Sequence, residues 1–196
     1  MKRRQTLQAF QLAFVNGLAL TGAPSLRAQP TPDIAALLRT GGCVVMLRHA
    51  QTDPGIGDPP DFKLDQCSTQ RNLSAEGRAQ AVAIGKWFAS RSLMPGSVQT
   101  SPWCRCKDTA QLAFGQFNVL PALASTFDGR TDAAAQTQAL RKRLGLVAVG
   151  TFELWVTHQV NVSALTGEGP AMGEAFVLRT PRGGGEVQVV TRTRFE

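Results

Sequence analysis

The chain is poor in metal ligands. Its 196 residues include only two histidines, His49 and His158, and four cysteines. Their spacings fit no zinc motif, so neither a metal nor a cofactor is expected. Asp53, Asp58, Asp61 and Asp65 crowd one stretch, but without the spacing of a calcium-binding EF-hand. Lysine-rich runs are also missing, which removes the charge argument for nucleic-acid binding. The N-terminal apolar stretch is broken by Gln8, Gln11 and Asn16. It is too short and interrupted to cross a bilayer, and no later segment is apolar enough to do so. No stable membrane span is expected.

What is present begins with a basic start, Met1-Lys2-Arg3-Arg4. A modest apolar core follows, then the turn-rich Gly22-Ala23-Pro24-Ser25-Leu26-Arg27-Ala28. That order describes a secretory signal peptide over residues 1–28, with cleavage before Gln29. The expected location is periplasmic or secreted. The segment carries four basic residues and no acid, so its removal lowers the net charge from +7 to +3. Residues 29–196 suit one α/β domain with a proper core. Export implies an oxidising compartment, where disulfides persist. Cys43 opens an apolar strand and should behave as a small hydrophobe. Cys104 and Cys106 are too close in sequence to pair easily with each other. Cys67, in a loop, is expected to pair with one of them.

The apolar run Val44-Val45-Met46-Leu47 reads as a buried strand of a parallel sheet, with Arg48-His49-Ala50 at its end. Before it, Thr31-Pro32-Asp33 should start a helix carrying Ile34, Leu37 and Leu38 on one face. After it, the Pro- and Gly-rich loop with the four acids reads as a solvated flap. Ser74 should cap a second helix with Ala79, Val82, Ala83 and Trp87 as its buried stripe. Ser97–Thr100 is a short strand. It delivers Ser101-Pro102-Trp103-Cys104-Arg105, where free helix N–H groups and a bidentate arginine would suit an anion. Asn118–Leu123 reads as a third strand, leading to Asp128. Asp132 should cap a helix whose apolar set includes Ala135, Leu140 and Leu144 and whose last turn holds Arg141-Lys142-Arg143. Thr151–Thr157 is a fourth strand ending in His158. The tail, Ala175–Arg179 and Glu186–Val190 around Arg182-Gly183-Gly184-Gly185, reads as an antiparallel hairpin at the sheet edge.

Both histidines thus follow strands, and Arg105 follows a third. In a parallel sheet all three share one edge, where open α/β sheets bind ligands. The motifs Leu47-Arg48-His49-Ala50, Asn72-Leu73-Ser74-Ala75-Glu76-Gly77-Arg78, Ser101-Pro102-Trp103-Cys104-Arg105 and Thr157-His158 resemble the histidine phosphatase superfamily. The resemblance implies a three-layer phosphoglycerate mutase-like α/β sandwich. Its central sheet would be mostly parallel, with an antiparallel edge strand. It further implies a metal-free phosphomonoesterase working on a small phosphorylated substrate through a phosphohistidine. His49 would be the nucleophile. Arg48, Arg105, Thr52 and His158 would hold the phosphoryl group, with His158 also catalytic. Ala50 stands where the family motif has glycine. No glutamate is found in the place where many members keep a proton donor. Asp128 occupies about that place, with Asp132 and Glu174 as alternatives. The other reading is a non-catalytic binder of phosphorylated ligands on the same fold. No oligomeric state is implied.

Overall fold

A computed structural model describes residues 33–129, 131–181 and 185–195, all within the larger of two compact units, residues 32–196. The expected signal peptide lies outside the described residues. Apolar alternation on the central strands organises the rest. Successive side chains of a strand point to opposite faces, so a fully apolar strand must be covered on both. Strand β1 (Cys43–Arg48) does this: its first five residues are buried.

The sheet has six strands in the order β3-β2-β4-β1-β5-β6. Here β2 is Ser97–Thr100, β3 Asn118–Val119, β4 Phe152–Thr157, β5 Glu174–Arg179 and β6 Gln188–Arg194. The β1–β4, β4–β2 and β2–β3 pairs are parallel, whereas β5 runs antiparallel to both neighbours. The expected hairpin therefore forms one edge, with β6 outermost. On one face lie α1 (Ile34–Thr40), α2 (Ala75–Ala89) and α3 (Cys104–Phe114). They pack Leu38, Ile84, Phe88 and Ala110 against Val45, Leu47, Leu154 and Val156. On the other face lie α4 (Ala133–Leu144) and α5 (Gln159–Thr166). They pack Leu140, Leu144, Val162 and Leu165 against Val44, Met46, Trp155 and Phe176. The expected three-layer sandwich is the observed one.

Several local expectations are corrected. The α1 cap is Asp33, whose carboxylate accepts from the Ala35 N–H, while Thr31 lies outside the described residues. The buried residues of α2 are Gly77, Ala81, Ile84 and Phe88. Ala79, Val82 and Ala83 face solvent and Trp87 is half-buried. The helix had two apolar registers, and the one carrying Ile84 and Phe88 buries more area. It also presents Gly77 to the loop after β1. A Cβ there would stand 1.8 Å from the Gln51 carbonyl oxygen, so glycine is required for the approach. Strand β3 stops at Val119, because Pro121 opens a 3-10 turn over Pro121–Leu123 and has no N–H for a ladder. Ala135 is exposed on α4. Helix α5 was not expected at all.

Cys67 and Cys104 form a disulfide, joining the flap to the first residue of α3 across 37 positions. Cys43 and Cys106 are free and buried. A loop of this length should contribute about 2–4 kcal/mol by restricting the unfolded chain. Reduction, or Cys67→Ser, is expected to lower the urea midpoint accordingly. An unmoved midpoint would show that other contacts hold the flap unaided. Among the described residues, no helix is long and apolar enough to cross a membrane.

Candidate active site

The parallel register places three strand ends side by side. Arg48 pairs with Thr157, and Thr100 with Val156. The ladders continue one residue further: the His49 N–H donates to the Thr157 carbonyl at 2.9 Å, and the Ser101 N–H to the Val156 carbonyl at 3.0 Å. His49 and His158 thereby stand edge to face, with ring centroids 5.5 Å apart. Arg105, in the first turn of α3, reaches over them. Its Nη2 lies 3.4 Å from His158 Nδ1. A cavity of about 550 Å³ opens along this edge, with Arg48, His49, Arg105, Asp128 and His158 among its lining residues.

The proton positions follow from the partners. His49 Nδ1 lies 2.8 Å from the Ala50 carbonyl, which can only accept. Nδ1 therefore carries the proton and Nε2 keeps its lone pair. Burial and the charges of Arg105, Arg48 and Arg71 push the His49 pKa down to about 3, despite the Ala50 bond. The imidazole is neutral at physiological pH, as a nitrogen nucleophile must be. His158 is also held neutral, by burial first and then by Arg105 and the other cationic neighbours. Its Nε2 lies 2.8 Å from Ser101 Oγ, and its Nδ1 faces a guanidinium N–H, so Nε2 carries the proton. The positive charge of the pocket therefore belongs to arginines alone.

Two residues of the pocket were not picked out from the sequence. Arg71, one position before the Asn72-Leu73-Ser74 motif, is a third guanidinium on the cavity wall. Burial and repulsion from Arg105 lower its pKa, against a smaller opposing effect of Asp58. Arg48 is lowered likewise, by burial and then by Arg71 and Arg105. The three cations crowd one another, and the buried Nε–H of each has no hydrogen-bond partner. The cluster thus has unmet donor capacity as well as excess charge. The second residue is Asp58. It is not solvated, as the flap reading had it, but buried against Arg105 at 2.7 Å. Its carboxylate also accepts from the Trp103 indole N–H and the Arg71 N–H, each at 3.0 Å. Burial pushes its pKa up, but the Arg105 bond and charge, with these two donors, outweigh that and hold it below the usual range. Three guanidiniums against the Asp58 carboxylate leave two positive charges around Arg105. A phosphate monoester dianion carries two negative ones.

Other expected site residues are placed differently. Thr52 is buried behind Arg71, not on the cavity wall, and its hydroxyl accepts from Arg71 Nη1 at 2.7 Å. At the α3 N-terminus the Gln70 side-chain oxygen takes the Cys104 N–H at 2.9 Å. Asp128 lines the cavity. Asp132 does not, because it caps α4 by accepting from the Ala134 and Ala135 N–H groups. Glu174 is bound to Arg192 and to the Ala171 N–H, away from the cavity. Among the described residues, no three histidine, cysteine or carboxylate side chains gather into a possible metal site.

Comparison with known proteins agrees with this architecture. The model of the histidine phosphatase superfamily (branch 1) matches residues 44–144, which include Arg48, His49, Asp58, Arg71 and Arg105. The chain belongs to that superfamily. No curated protein matches it in sequence. Among solved structures, it resembles the mycobacterial glucosyl-3-phosphoglycerate phosphatase Rv2419c, with a TM-score of 0.57 and 20% identity over 75% of this chain and 96% of that one. SixA from Agrobacterium tumefaciens gives 0.52 and 20%, over 78% and 97%. The protein histidine phosphatase SixA complexed with tungstate gives 0.50 and 17%, over 78% and 96%. These likenesses are of fold.

Proposed function

We propose that this chain is an exported phosphatase that hydrolyses phosphate monoesters through a phosphohistidine at His49. One observation carries the reading: a neutral imidazole with Nε2 unprotonated faces the same cavity as three arginines with charge and donors to spare. The phosphatase names of the similar structures support the class. The basic start and apolar core of residues 1–28 support export, as does a Cys67–Cys104 disulfide, which suits an oxidising compartment.

In the proposed reaction, the phosphoryl oxygens lie against Arg48, Arg71 and Arg105, which stabilise charge spreading over them. His49 Nε2 attacks phosphorus as the ester P–O bond breaks, and the leaving oxygen takes a proton from the Asp128 carboxyl. Water then attacks phosphorus as the P–N bond breaks, gives a proton to Asp128, and frees His49 and inorganic phosphate. His158 and Ser101 hold Arg105 and the rings in register. Thr52 acts by holding Arg71.

The test is turnover of a panel of phosphate esters, with an alkaline quench to trap acid-labile phosphohistidine at His49. Saturable binding without turnover or adduct would favour the non-catalytic binder. Asp128 has its own test. General acid catalysis is worth about 10²–10⁴-fold where the leaving group needs a proton. Asp128→Asn should therefore lose most of its rate on alkyl phosphates and far less on p-nitrophenyl phosphate, whose phenolate leaves almost unaided. Equal losses on both would make Asp128 a structural or phosphate-binding residue.

A further inference from the structure

The phosphoryl end of the cavity is cationic, yet its mouth is not. Ile56, at the tip of the flap, is 92% exposed, and Phe127 is 65% exposed. Both line the cavity. The flap meets Phe127 at Gly57, the residue after Ile56: a Cβ placed on Gly57 would stand 3.5 Å from Phe127 Cε1. Phe127 is held there by its own N–H, which donates to Ser125 Oγ. Deeper in, Trp103 and Phe62 continue the apolar wall, with ring centroids 5.8 Å apart. Large apolar side chains left in water around a charged pocket mark a surface that something else covers.

Asp128 apart, the polar side chains near the mouth are mostly engaged. Gln159 Oε1 accepts from Arg48, Asp58 is bound to Arg105, and Ser125 accepts from Phe127. A leaving group rich in hydroxyls would meet little to replace its water, and stranded polar groups cost affinity. A phosphoryl group fills only a small part of about 550 Å³, a volume that suits a drug-sized ligand. Phe62, Trp103 and Phe127 line part of the remainder.

We infer that the substrate is the phosphate ester of an apolar aromatic alcohol, its ring seated between Ile56 and Phe127 and its phosphate on the arginines. This rests on the phosphatase reading for the chemistry, but not for the binding. Arginine contacts to the phosphate dianion are common to every ester, so comparing two esters isolates the mouth. Phe127 and Ile56 are then the residues that set specificity.

The test is calorimetric binding of 2-phenylethyl phosphate and glycerol 1-phosphate to the His49→Ala protein, which cannot form the covalent adduct. Both esters have a primary alkoxide leaving group. The aromatic ester should bind about tenfold tighter or better, the scale of discrimination that an apolar pocket achieves. Phe127→Ser and Ile56→Ser, both at exposed positions, should each cut that ratio about threefold or more. Equal affinities, tighter binding of the glycerol ester, or a ratio preserved in both serine variants would overturn the inference. Turnover by the unmutated protein is read separately. If no ester of the panel is hydrolysed, the phosphatase reading falls, while the binding ratio still decides what the mouth selects.

Discussion

His49→Ala should lose turnover by on the order of 10³-fold or more, as removal of a nucleophile does, because no neighbour can replace Nε2. His158 cannot substitute: one of its nitrogens is turned to Arg105 and the other to Ser101. The fold should barely notice. The side chain is buried, but it faces a cavity and makes one hydrogen bond, worth about 1 kcal/mol. The arginines remain, so inorganic phosphate should still bind. Steady-state rates, a thermal melt and phosphate calorimetry on one preparation check all three. Near-normal turnover would end the covalent mechanism. A collapsed melt would mean that the imidazole is structural.

Asp58→Ala should act the other way round, on stability first. Its partner Arg105 is 4% exposed and would be left buried and uncompensated. Breaking a buried pair in this way costs about 3–5 kcal/mol. The variant pocket also holds three cations without the carboxylate that pairs with Arg105, so it should bind an anion more tightly. Urea unfolding in phosphate-free buffer should show the loss. Added inorganic phosphate should then restore more of the variant's midpoint than it adds to the unmutated protein. A loss below about 1 kcal/mol would mean that water screens the pair. An equal phosphate shift in both proteins would place Arg105 outside the anion site.

What could be read ahead of the structure had local causes. The apolar run Val44–Leu47 and the aromatic-rich Phe152–Val156 identify buried strands by composition, and His49 and His158 follow at their ends. A parallel sheet then forces them together, and that step needed only the assumption of parallel pairing. Cys67 pairing with Cys104 was half-readable, since Cys104 and Cys106 were equal candidates. They differ only in where a helix turns them, and Cys106 is turned to the His158 side. Arg71 and Asp58 were missed because their roles come from the path of an irregular loop, which no periodicity encodes. The signal available was the Arg71 position, a cation directly before the Asn72-Leu73-Ser74 motif in a loop otherwise rich in acids. The buried face of α2 was misread because its alternative registers differ in partner and not in pattern. Helix α5, with β-branched Val160 and Val162, has little helical propensity, and packing against β1 and α4 supports it instead.

The strand order also constrains the timetable of assembly. Strands β1 and β2 are consecutive in the chain but are not neighbours in the sheet, because β4 lies between them. During synthesis from the N-terminus, Arg48, His49, Asp58, Arg71 and Arg105 are all made before the strand that joins their supports. The sheet cannot close until Thr157 has emerged, and long-range parallel pairing of this kind is slow. About four-fifths of the chain must therefore exist before the anion pocket can be completed. The two imidazoles that face each other across the strand ends thus come together only late in synthesis.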